Sequence, residues 1–331
     1  MPNRHLILAG DIGGTKTNLA LFSVEANKLR PVQQSTFPSK NYSGLVPVIR
    51  EFIEIDKYRI DAATFGIAGP VVDGVVKTPN LPWLVERDAV QAVLTIKAVE
   101  LINDLEATAY GIFTLDETEF ATLNDGIVFH SGTKALIAAG TGLGESILYY
   151  DGAHFRPLAS EGGHADFAPT NELEIELLRY LIGRYEHVSY ERVLSGPGLW
   201  NIYQFLRDSK KFEEPKWLTE RFASGEDPGA VVTKTALAKE AEISVQAMEI
   251  FVSVYGAEAG NLALRAKSVR GLYVGGGIAP KILPKLKDGT FMRAFGSKGR
   301  YTELLAEIPV QVILNEQTAL RGAAYHAAFI Q

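Results

Sequence analysis

An acidic, glycine-rich turn after an apolar run is the first place in this chain where the residue types could do chemistry. Asp11 follows the apolar residues 6–10 and is itself followed by Gly13, Gly14 and Thr15. Glycines let successive backbone N–H groups point into one concave site, which binds phosphate oxygens. A carboxylate at the end of the strand lies where the Mg²⁺ of a bound nucleotide would be held. We therefore predict a buried strand, a tight turn and a phosphate site. The protein would bind no metal ion of its own, because Mg²⁺ would come with the nucleotide and meet Asp11.

Two further glycine turns follow apolar runs later in the chain. They are built from Gly140, Thr141 and Gly142 and from Gly275, Gly276 and Gly277. Each turn alone is explained equally well by an ordinary chain reversal. Three such turns, all at the ends of predicted strands, favour a nucleotide held by backbone N–H groups.

An amide and an acid follow another predicted strand. Asn103 and Asp104 lie between the apolar run 99–102 and a predicted helix over 105–110. Both residue types are good helix N-caps, and capping is the simpler interpretation. The functional interpretation places Asp104 at the carboxyl edge of a sheet, where α/β folds have their sites. There its carboxylate would accept a proton from an attacking hydroxyl. The pattern leaves both interpretations open.

A short segment around two glycines combines an acid and an imidazole. Glu161 and His164 are separated only by Gly162 and Gly163, so a turn would direct both side chains to one small volume. A carboxylate and an imidazole suit hydrogen bonding to vicinal hydroxyls, as in a sugar. A metal site is less well supported, because neither a His pair at ligand spacing nor a Cys is present. Glu191 precedes a Gly-Pro-Gly turn, and without context it is predicted to be a solvated surface charge.

These residues need a framework of strands interleaved with helices. The predicted strands cover residues 6–10, 18–24, 62–69, 99–102, 134–139, 145–150 and 271–274, and the predicted helices cover 45–55, 88–93, 105–110, 172–184 and 244–268. This alternation indicates an α/β protein. A strand, a glycine turn and a returning strand occur in each half, which is an imperfect repeat of pattern. Gly256 and Gly260 in the last helix indicate close packing of another backbone.

Length and composition limit the classes of function. The 331 residues favour about two domains, and 47% hydrophobic residues supply large cores. A net charge of -6 without a block of Lys or Arg argues against nucleic acid or an anionic membrane as partner. Because the chain has no Cys, disulfides, thiolate catalysis and Cys-based zinc sites are excluded. No signal peptide or apolar run of ~20 residues is recognisable, so we expect a cytoplasmic protein.

Taken in order, the motifs resemble those of the bacterial ATP-dependent glucokinase family, within the sugar kinase, actin and heat-shock chaperone superfamily. The resemblance covers essentially the whole chain and rests on Asp11–Thr15, Leu101–Thr108, Gly140–Gly144, Glu161–Pro169, Glu191–Gly198 and Gly275–Ile278. It implies phosphorylation of D-glucose at the 6-hydroxyl, the first step of glycolysis, with ATP and Mg²⁺. It also implies a homodimer.

The resemblance further implies a fold and a role for each motif. The fold would be α/β, of the two-lobed ribonuclease-H-like (actin-like ATPase) kind, with an active-site cleft between a small lobe (1–114 plus 315–331) and a large lobe (115–314). Asp104 matches the family's catalytic base. The residues that match sugar ligands are Asn103, Asp104, Glu161, His164 and Glu191. Those that match nucleotide contacts are Asp11, Gly13, Gly14, Thr15, Gly140, Thr141 and Gly142 at the phosphates, and Gly275, Gly276 and Gly277 near the adenosine.

Three alternatives differ from this interpretation in substrate or in class. The chain could be a kinase of another hexose, or one that uses polyphosphate. It could be a nucleotide-gated interaction protein of actin or chaperone type, which would need the glycine turns but not Glu161 and His164. It could also be a sugar-sensing regulator without catalysis. We disfavour the last because Asp104 is present and no DNA-binding segment is expected before Leu6.

Overall fold

The chain forms two compact units in the computed structural model, which describes residues 6–26, 28–53, 58–127, 129–158 and 160–330. The first unit comprises Met1–Glu117, Tyr150–Ala159 and Asn315–Gln331, and the second comprises Thr118–Tyr149 and Ser160–Leu314. Each unit contains a mixed sheet together with helices. The predicted α/β class is therefore confirmed.

The elements are numbered in chain order. The strands are β1 Leu6–Ile12, β2 Lys16–Glu25, β3 Lys28–Pro38, β4 Ala62–Ile67, β5 Val71–Val72, β6 Val75–Lys77, β7 Leu84–Glu86, β8 Val99–Asn103, β9 Phe120–Asn124, β10 Lys134–Ala139, β11 Leu143–Tyr150, β12 Phe155–Leu158, β13 Leu272–Gly275 and β14 Val310–Ile313. The helices are α1 Leu45–Phe52, α2 Arg87–Leu94, α3 Asp104–Gly111, α4 Glu172–Ile182, α5 Gly196–Asp208, α6 Lys216–Ala223, α7 Pro228–Leu237, α8 Glu242–Ala266, α9 Leu283–Leu286, α10 Thr290–Gly296, α11 Thr302–Ala306 and α12 Thr318–Phe329.

The main sheet of the first unit has the strand order β3-β2-β1-β4-β8. Strands β1, β4 and β8 are parallel, whereas β2 returns antiparallel to β1 across the first glycine turn. Every residue of β4 is buried, as expected for a central strand covered on both faces. The parallel arrangement brings the carboxyl ends of β1, β4 and β8 to one edge.

The sheet of the second unit repeats this plan. Within the unit the strands follow the order β11-β10-β13-β14-β9, with β10, β13 and β14 parallel and β11 antiparallel to β10. The strand, glycine turn and returning strand predicted for each half therefore occur as β1-β2 and β10-β11. The carboxyl ends of β10 and β13 lie side by side.

The long helix α8 is the centre of the second unit's core, and most of its residues are buried. A Cβ atom on Gly256 would lie 2.1 Å from the carbonyl oxygen of Phe291, and one on Gly260 would lie 2.4 Å from that of Phe295. Both glycines therefore allow α10 to lie against α8, and the predicted close packing is confirmed. In the described residues, no helix combines the length and apolarity needed to cross a bilayer.

Most predicted elements are present, with bounds shifted by one to three residues. The predicted helix over 45–55 ends at Phe52, and its residues 54 and 55 lie outside the described ranges. Gly144, expected in the second glycine turn, already belongs to β11 and pairs with Ala138. The segment Tyr150–Ala159 groups with the first unit, although the boundaries drawn from sequence placed it in the large lobe. Stacking of Phe155 on Phe113, with ring centroids 5.4 Å apart, accounts for that grouping.

Candidate active site

Three parallel strands of the first unit end at one edge, and the predicted acids lie there. Asp11 is level with Gly66 of β4, and Asn103 ends β8 on the other side of β4. A Cβ on Gly66 would lie 2.7 Å from the Cβ of Ala107, so glycine lets α3 lie directly against the sheet. Asp104, the first residue of α3, is thereby brought near enough to Asp11 for their charges to interact.

The surroundings of Asp11 raise its pKa from 3.8 to about 6. Burial is the largest cause, and the negative charge of Asp104 adds to it. A hydrogen bond from Asn18 Nδ2 to Asp11 Oδ2, 3.2 Å long, acts in the opposite direction. Both carboxyls are only half-buried, so a ligand can reach them. Two neighbouring carboxyls of this kind suit a cation and a proton-donating hydroxyl.

The first glycine turn joins β1 to β2 and is held from behind. The Gly13 N–H donates to Lys16 O at 2.9 Å, and Ser39 Oγ donates to Gly13 O at 2.8 Å. A Cβ on Gly14 would lie 2.8 Å from the Cβ of Asn80. The N–H groups of Gly14 and Thr15 have no hydrogen-bond partner in the described parts of the chain. They are the donors that a phosphate oxygen would require.

Asn103 is the N-cap of α3, as the simpler interpretation predicted. Its Oδ1 accepts from the Leu105 N–H at 2.9 Å, and its Nδ2 donates to Gly69 O at 3.1 Å. Oδ1 of Asp104 accepts from the same N–H at 2.9 Å. These bonds fix both side chains at the sheet edge, so capping and a chemical role are compatible. The roles of proton acceptor and sugar ligand stay predictions.

The second and third glycine turns are neighbours in the second unit. The Gly140 carbonyl accepts from the N–H of Gly196, where α5 begins, at 2.9 Å. Gly276 has φ 82°, and a Cβ there would lie 2.2 Å from Ala139 O, so the fold itself requires this glycine. A Cβ on Gly140 or Gly277 would meet nothing within 4 Å. Packing does not demand glycine at these two positions, which leaves room for a ligand to approach the backbone.

The turn after β12 brings Glu161 and His164 together, as predicted from the two glycines between them. Glu161 Oε2 lies 4.0 Å from His164 Nε2, and the two side chains are 78% and 56% exposed. The His164 N–H donates to Glu161 O at 2.9 Å and closes the turn. The pair thus presents a carboxylate and an imidazole to solvent side by side. Sugar binding by the pair stays a prediction.

The prediction that Glu191 is a solvated surface charge is wrong. Its side chain is half-buried, and Oε2 accepts from the Leu143 N–H at 3.0 Å. A Cβ on Gly142 would lie 2.5 Å from that oxygen, so Glu191 lies directly beneath the second glycine turn. Its neighbour Tyr190 donates its N–H to Ala165 O at 2.9 Å, which ties it to the turn of Glu161 and His164. Sequence alone could not show this, because the partner N–H lies 48 residues away.

Two supporting residues were missed by the sequence reasoning. Asn18, which bonds Asp11, lies directly opposite it in the β1-β2 hairpin, and the hairpin register could have identified it. Asn80, which packs on Gly14, left no comparable signal, since its placement depends on the fold. Among the described residues, no three His, Asp or Glu side chains converge as a metal centre. Contact of Asp11 with the Mg²⁺ ion of a bound nucleotide stays a prediction.

Comparisons with known proteins show which proteins this chain is similar to. A sequence model of the glucokinase family matches residues 8–329. A glucokinase of Nostoc sp. is 43% identical, over 98% of this chain and 99% of its own length. The crystal structure of a glucokinase from an Antarctic psychrotroph is similar with a TM-score of 0.86 at 28% identity, covering 97% of this chain and 98% of that one.

A more distant solved structure is similar in fold alone. A ROK family glucokinase from Streptomyces griseus, in complex with glucose and AMPPNP, has a TM-score of 0.64 at 21% identity. The match covers 97% of this chain and 99% of the chain of that structure.

Proposed function

The chain belongs to the glucokinase family and phosphorylates glucose with ATP, and from this premise we propose which of its residues carry out the reaction. The fold would be the two-lobed actin-like ATPase fold, with residues 1–114 plus 315–331 as the small lobe and 115–314 as the large lobe. The substrates would meet in a cleft between the lobes. The division into two compact units supports this arrangement.

Asp104 would act as the general base. Its carboxylate would take the proton from the 6-hydroxyl of glucose while that oxygen forms a bond to the γ-phosphorus of ATP. The bond from the γ-phosphorus to the bridging oxygen would break, and ADP would leave with the electron pair. Phosphoryl transfer depends mainly on positioning and on charge neutralisation, so the base must be held firmly. The hydrogen bond from Leu105 to Asp104 supplies that constraint.

The substrate MgATP would be bound by the glycine turns and Asp11. The unpaired N–H groups of Gly14 and Thr15 would donate to phosphate oxygens, and the backbone of Gly140–Gly142 would do the same. Asp11 would hold the Mg²⁺ ion, directly or through a bound water. The open space at Gly140 and Gly277 supports close approach of the nucleotide.

Glucose would be recognised through its hydroxyls. The proposed ligands are Asn103, Asp104, Glu161, His164 and Glu191. A site built to hydrogen-bond each hydroxyl discriminates against sugars that lack one, because its own polar groups are then left unpaired. The adjacency of Glu161 and His164, and their backbone link to Glu191 through Tyr190, support a common role.

The observation that carries this assignment is the pair of half-buried acids beside a glycine turn whose Gly14 and Thr15 N–H groups have no partner among the described residues. A coupled assay for glucose 6-phosphate tests the activity, with mannose, fructose, glucosamine and polyphosphate as alternative substrates. We expect glucose and ATP to give the highest kcat/KM. Turnover of none of the hexoses would contradict the proposal. A preference for another hexose or for polyphosphate would retain the kinase assignment and correct the substrate.

The family resemblance also supports a cellular setting. We propose that the enzyme works in the cytoplasm as a homodimer and catalyses the first step of glycolysis. Light scattering coupled to size-exclusion chromatography measures the mass in solution. A mass of about twice 36.1 kDa is expected, and a mass near 36.1 kDa would contradict the dimer.

A further inference from the structure

Two acids are buried beneath the turn that carries Glu161 and His164. Glu145 of β11 is 2% exposed and Glu258 of α8 is 0% exposed. Among the described residues, Arg265 is the cation that bonds both acids: its Nη2 lies 3.4 Å from Glu145 Oε2 and also contacts Glu258. Buried carboxylates are costly unless they are paired. Two ionised acids against the one charge of Arg265 would leave an excess negative charge at this contact unless a proton is also present.

The geometry favours such a proton. Both carboxyls contact the same nitrogen of Arg265, so they lie close together, and because ionised carboxylates only accept hydrogen bonds, a proton on one of them would let it donate to the other. Burial, followed by the charge of Glu258, raises the pKa of Glu145 to about 8, against the opposing charge of Arg265. Glu145 Oε1 is buried without a hydrogen-bond partner in the described residues, which a neutral carboxyl tolerates better than an ionised one.

Glu145 forms the floor of the Glu161–His164 turn. A Cβ on Gly162 would lie 2.5 Å from Glu145 Oε2, and one on Gly163 would lie 2.1 Å from Leu143 O. The turn therefore lies in close contact with β11. A movement of the Glu145 carboxyl toward the turn would displace Gly162 and the side chains on either side of it.

Glu258 supports the neighbouring turn. Asn261 Nδ2 donates to both the Tyr190 hydroxyl (3.0 Å) and Glu258 Oε2 (2.9 Å), which links the Glu258 carboxyl to Tyr190. Glu191 follows Tyr190 directly and bonds β11 through Leu143. The buried pair thus lies under both turns that carry the proposed glucose ligands of this unit.

We propose that Glu145 and Glu258 are positioning residues, whose shared proton holds the turns of Glu161, His164 and Glu191 in the arrangement that binds glucose. This inference rests on the proposed function. Loss of the proton puts a second negative charge beside a single Arg265. The carboxyls then repel each other, and the floor beneath Gly162 shifts. Glucose affinity should fall, while the first unit's acids are unaffected.

Other titratable groups also face the pair. Tyr255 of α8 interacts with Glu145, whereas Tyr190, before α5, and Lys298, after α10, interact with Glu258. Glu174 of α4 interacts with Lys298. Burial raises the pKa of both tyrosines well above the usual range, so they stay neutral. Burial lowers the pKa of Lys298. Because Glu145→Gln removes the titration of the carboxyl pair and leaves that of Lys298, this variant distinguishes the two.

The test is the pH dependence of KM for glucose from pH 6.5 to 9.5, in the wild type and in Glu145→Gln. A glutamine amide can donate permanently to Glu258, as the shared proton does. We expect the wild-type KM for glucose to rise above pH 8, at a limiting slope of about tenfold per pH unit, with kcat and KM for ATP changing less. Glu145→Gln should match the wild type at pH 7 and stay flat. Glu303→Gln, on an exposed face of α11, is the matched control and should follow the wild type.

An alkaline rise in KM that persists unchanged in Glu145→Gln would overturn the inference, as would a wild-type KM that stays constant to pH 9.5. If Glu145→Gln does not fold, Glu258→Gln should show the same flattening, and an unaltered slope there would also overturn it. A wild type that fails to phosphorylate glucose at pH 7 would contradict the proposed function and the inference together. An active wild type with a flat profile would contradict the inference alone.

Discussion

Each of the two units contains a pair of interacting acids, and the pairs differ in exposure. Asp11 and Asp104 are half-buried at a sheet edge beside a glycine turn with unpaired N–H groups. Glu145 and Glu258 are almost fully buried. The first pair can exchange protons and cations with a ligand, whereas the second can only share a proton within the protein. On the proposed function, burial separates acids that would serve chemistry from acids that would hold the binding turns in place.

Replacing the proposed base should have the largest effect. Asp104→Asn keeps the shape and the capping oxygen but cannot accept a proton at pH 7, so we expect kcat to fall by about 10²–10⁴-fold. Steady-state kinetics and a thermal melt check this, with KM for glucose and Tm changing little. Asp88→Asn, at a side chain 89% exposed on α2, is the control and should behave as wild type. Comparable kcat values for Asp104→Asn and Asp88→Asn would contradict a chemical role for Asp104.

Asp11→Asn should have the next largest effect, on MgATP. Loss of a charge-assisted contact of about 1.5–3 kcal/mol lowers kcat/KM for MgATP by about 10- to 100-fold. Because the Asp11 pKa is about 6, the wild-type value should also decline below pH 6, where the carboxyl becomes protonated. In Asp11→Asn this decline below pH 6 should be absent. If the variant still shows the decline, the titrating group is not Asp11.

The glycine turns extend the comparison from acids to backbone. In Gly276→Ala, the alanine must adopt a positive φ and its Cβ clashes with Ala139 O, so the free energy of unfolding should fall by about 1–3 kcal/mol.

In Gly140→Ala, the added Cβ lies in open space, so Tm should not change. The KM for ATP should rise roughly fivefold, which corresponds to about 1 kcal/mol. Thermal melts and ATP titrations measure both. Equal loss of Tm in the two variants would show that Gly140 serves the fold instead of the ligand.

The last expected effect is on how the free energy of unfolding depends on pH. Glu145 binds its proton more tightly in the folded chain, with a pKa of about 8 instead of 4.5, so its contribution to stability is full below pH 4.5 and is lost as pH rises to 8. As the pH rises, the unfolding free energy of the wild type should therefore fall relative to that of Glu145→Gln, by at most about 1.4 kcal/mol per pH unit. Urea unfolding at pH 5, 6, 7 and 8 measures this. A pH-independent difference would argue for an unshared, permanently ionised Glu145.

Local pattern predicted much of the framework. The run into Asp11 and the glycines after it sufficed for β1, the turn and β2, because an apolar run and a glycine turn are local signals. The cap at Asn103 followed from residue type and position. The turn that brings Glu161 and His164 together needed only the two glycines between them.

Contacts between distant segments could not be predicted in this way. Glu191 is fixed by a backbone N–H of β11, and no periodicity reports such a partner. Glu145 and Glu258 are 113 positions apart, and each alone is an unremarkable acid within a strand or a helix. Their shared proton exists only because the fold buries both with one Arg265. The sequence therefore offered candidates for chemistry more readily than the residues that hold those candidates in place.

The central claim is that Asp104 accepts the proton in phosphoryl transfer, and a single-turnover measurement tests it most directly. Rapid-quench formation of glucose 6-phosphate, with enzyme in excess over ATP and glucose saturating, isolates the chemical step from product release. We predict a rate about 10²–10⁴-fold lower for Asp104→Asn than for wild type. Glucose binding by calorimetry should change little, because the Asn side chain can still hydrogen-bond the 6-hydroxyl. A single-turnover rate close to that of the wild type would contradict the account.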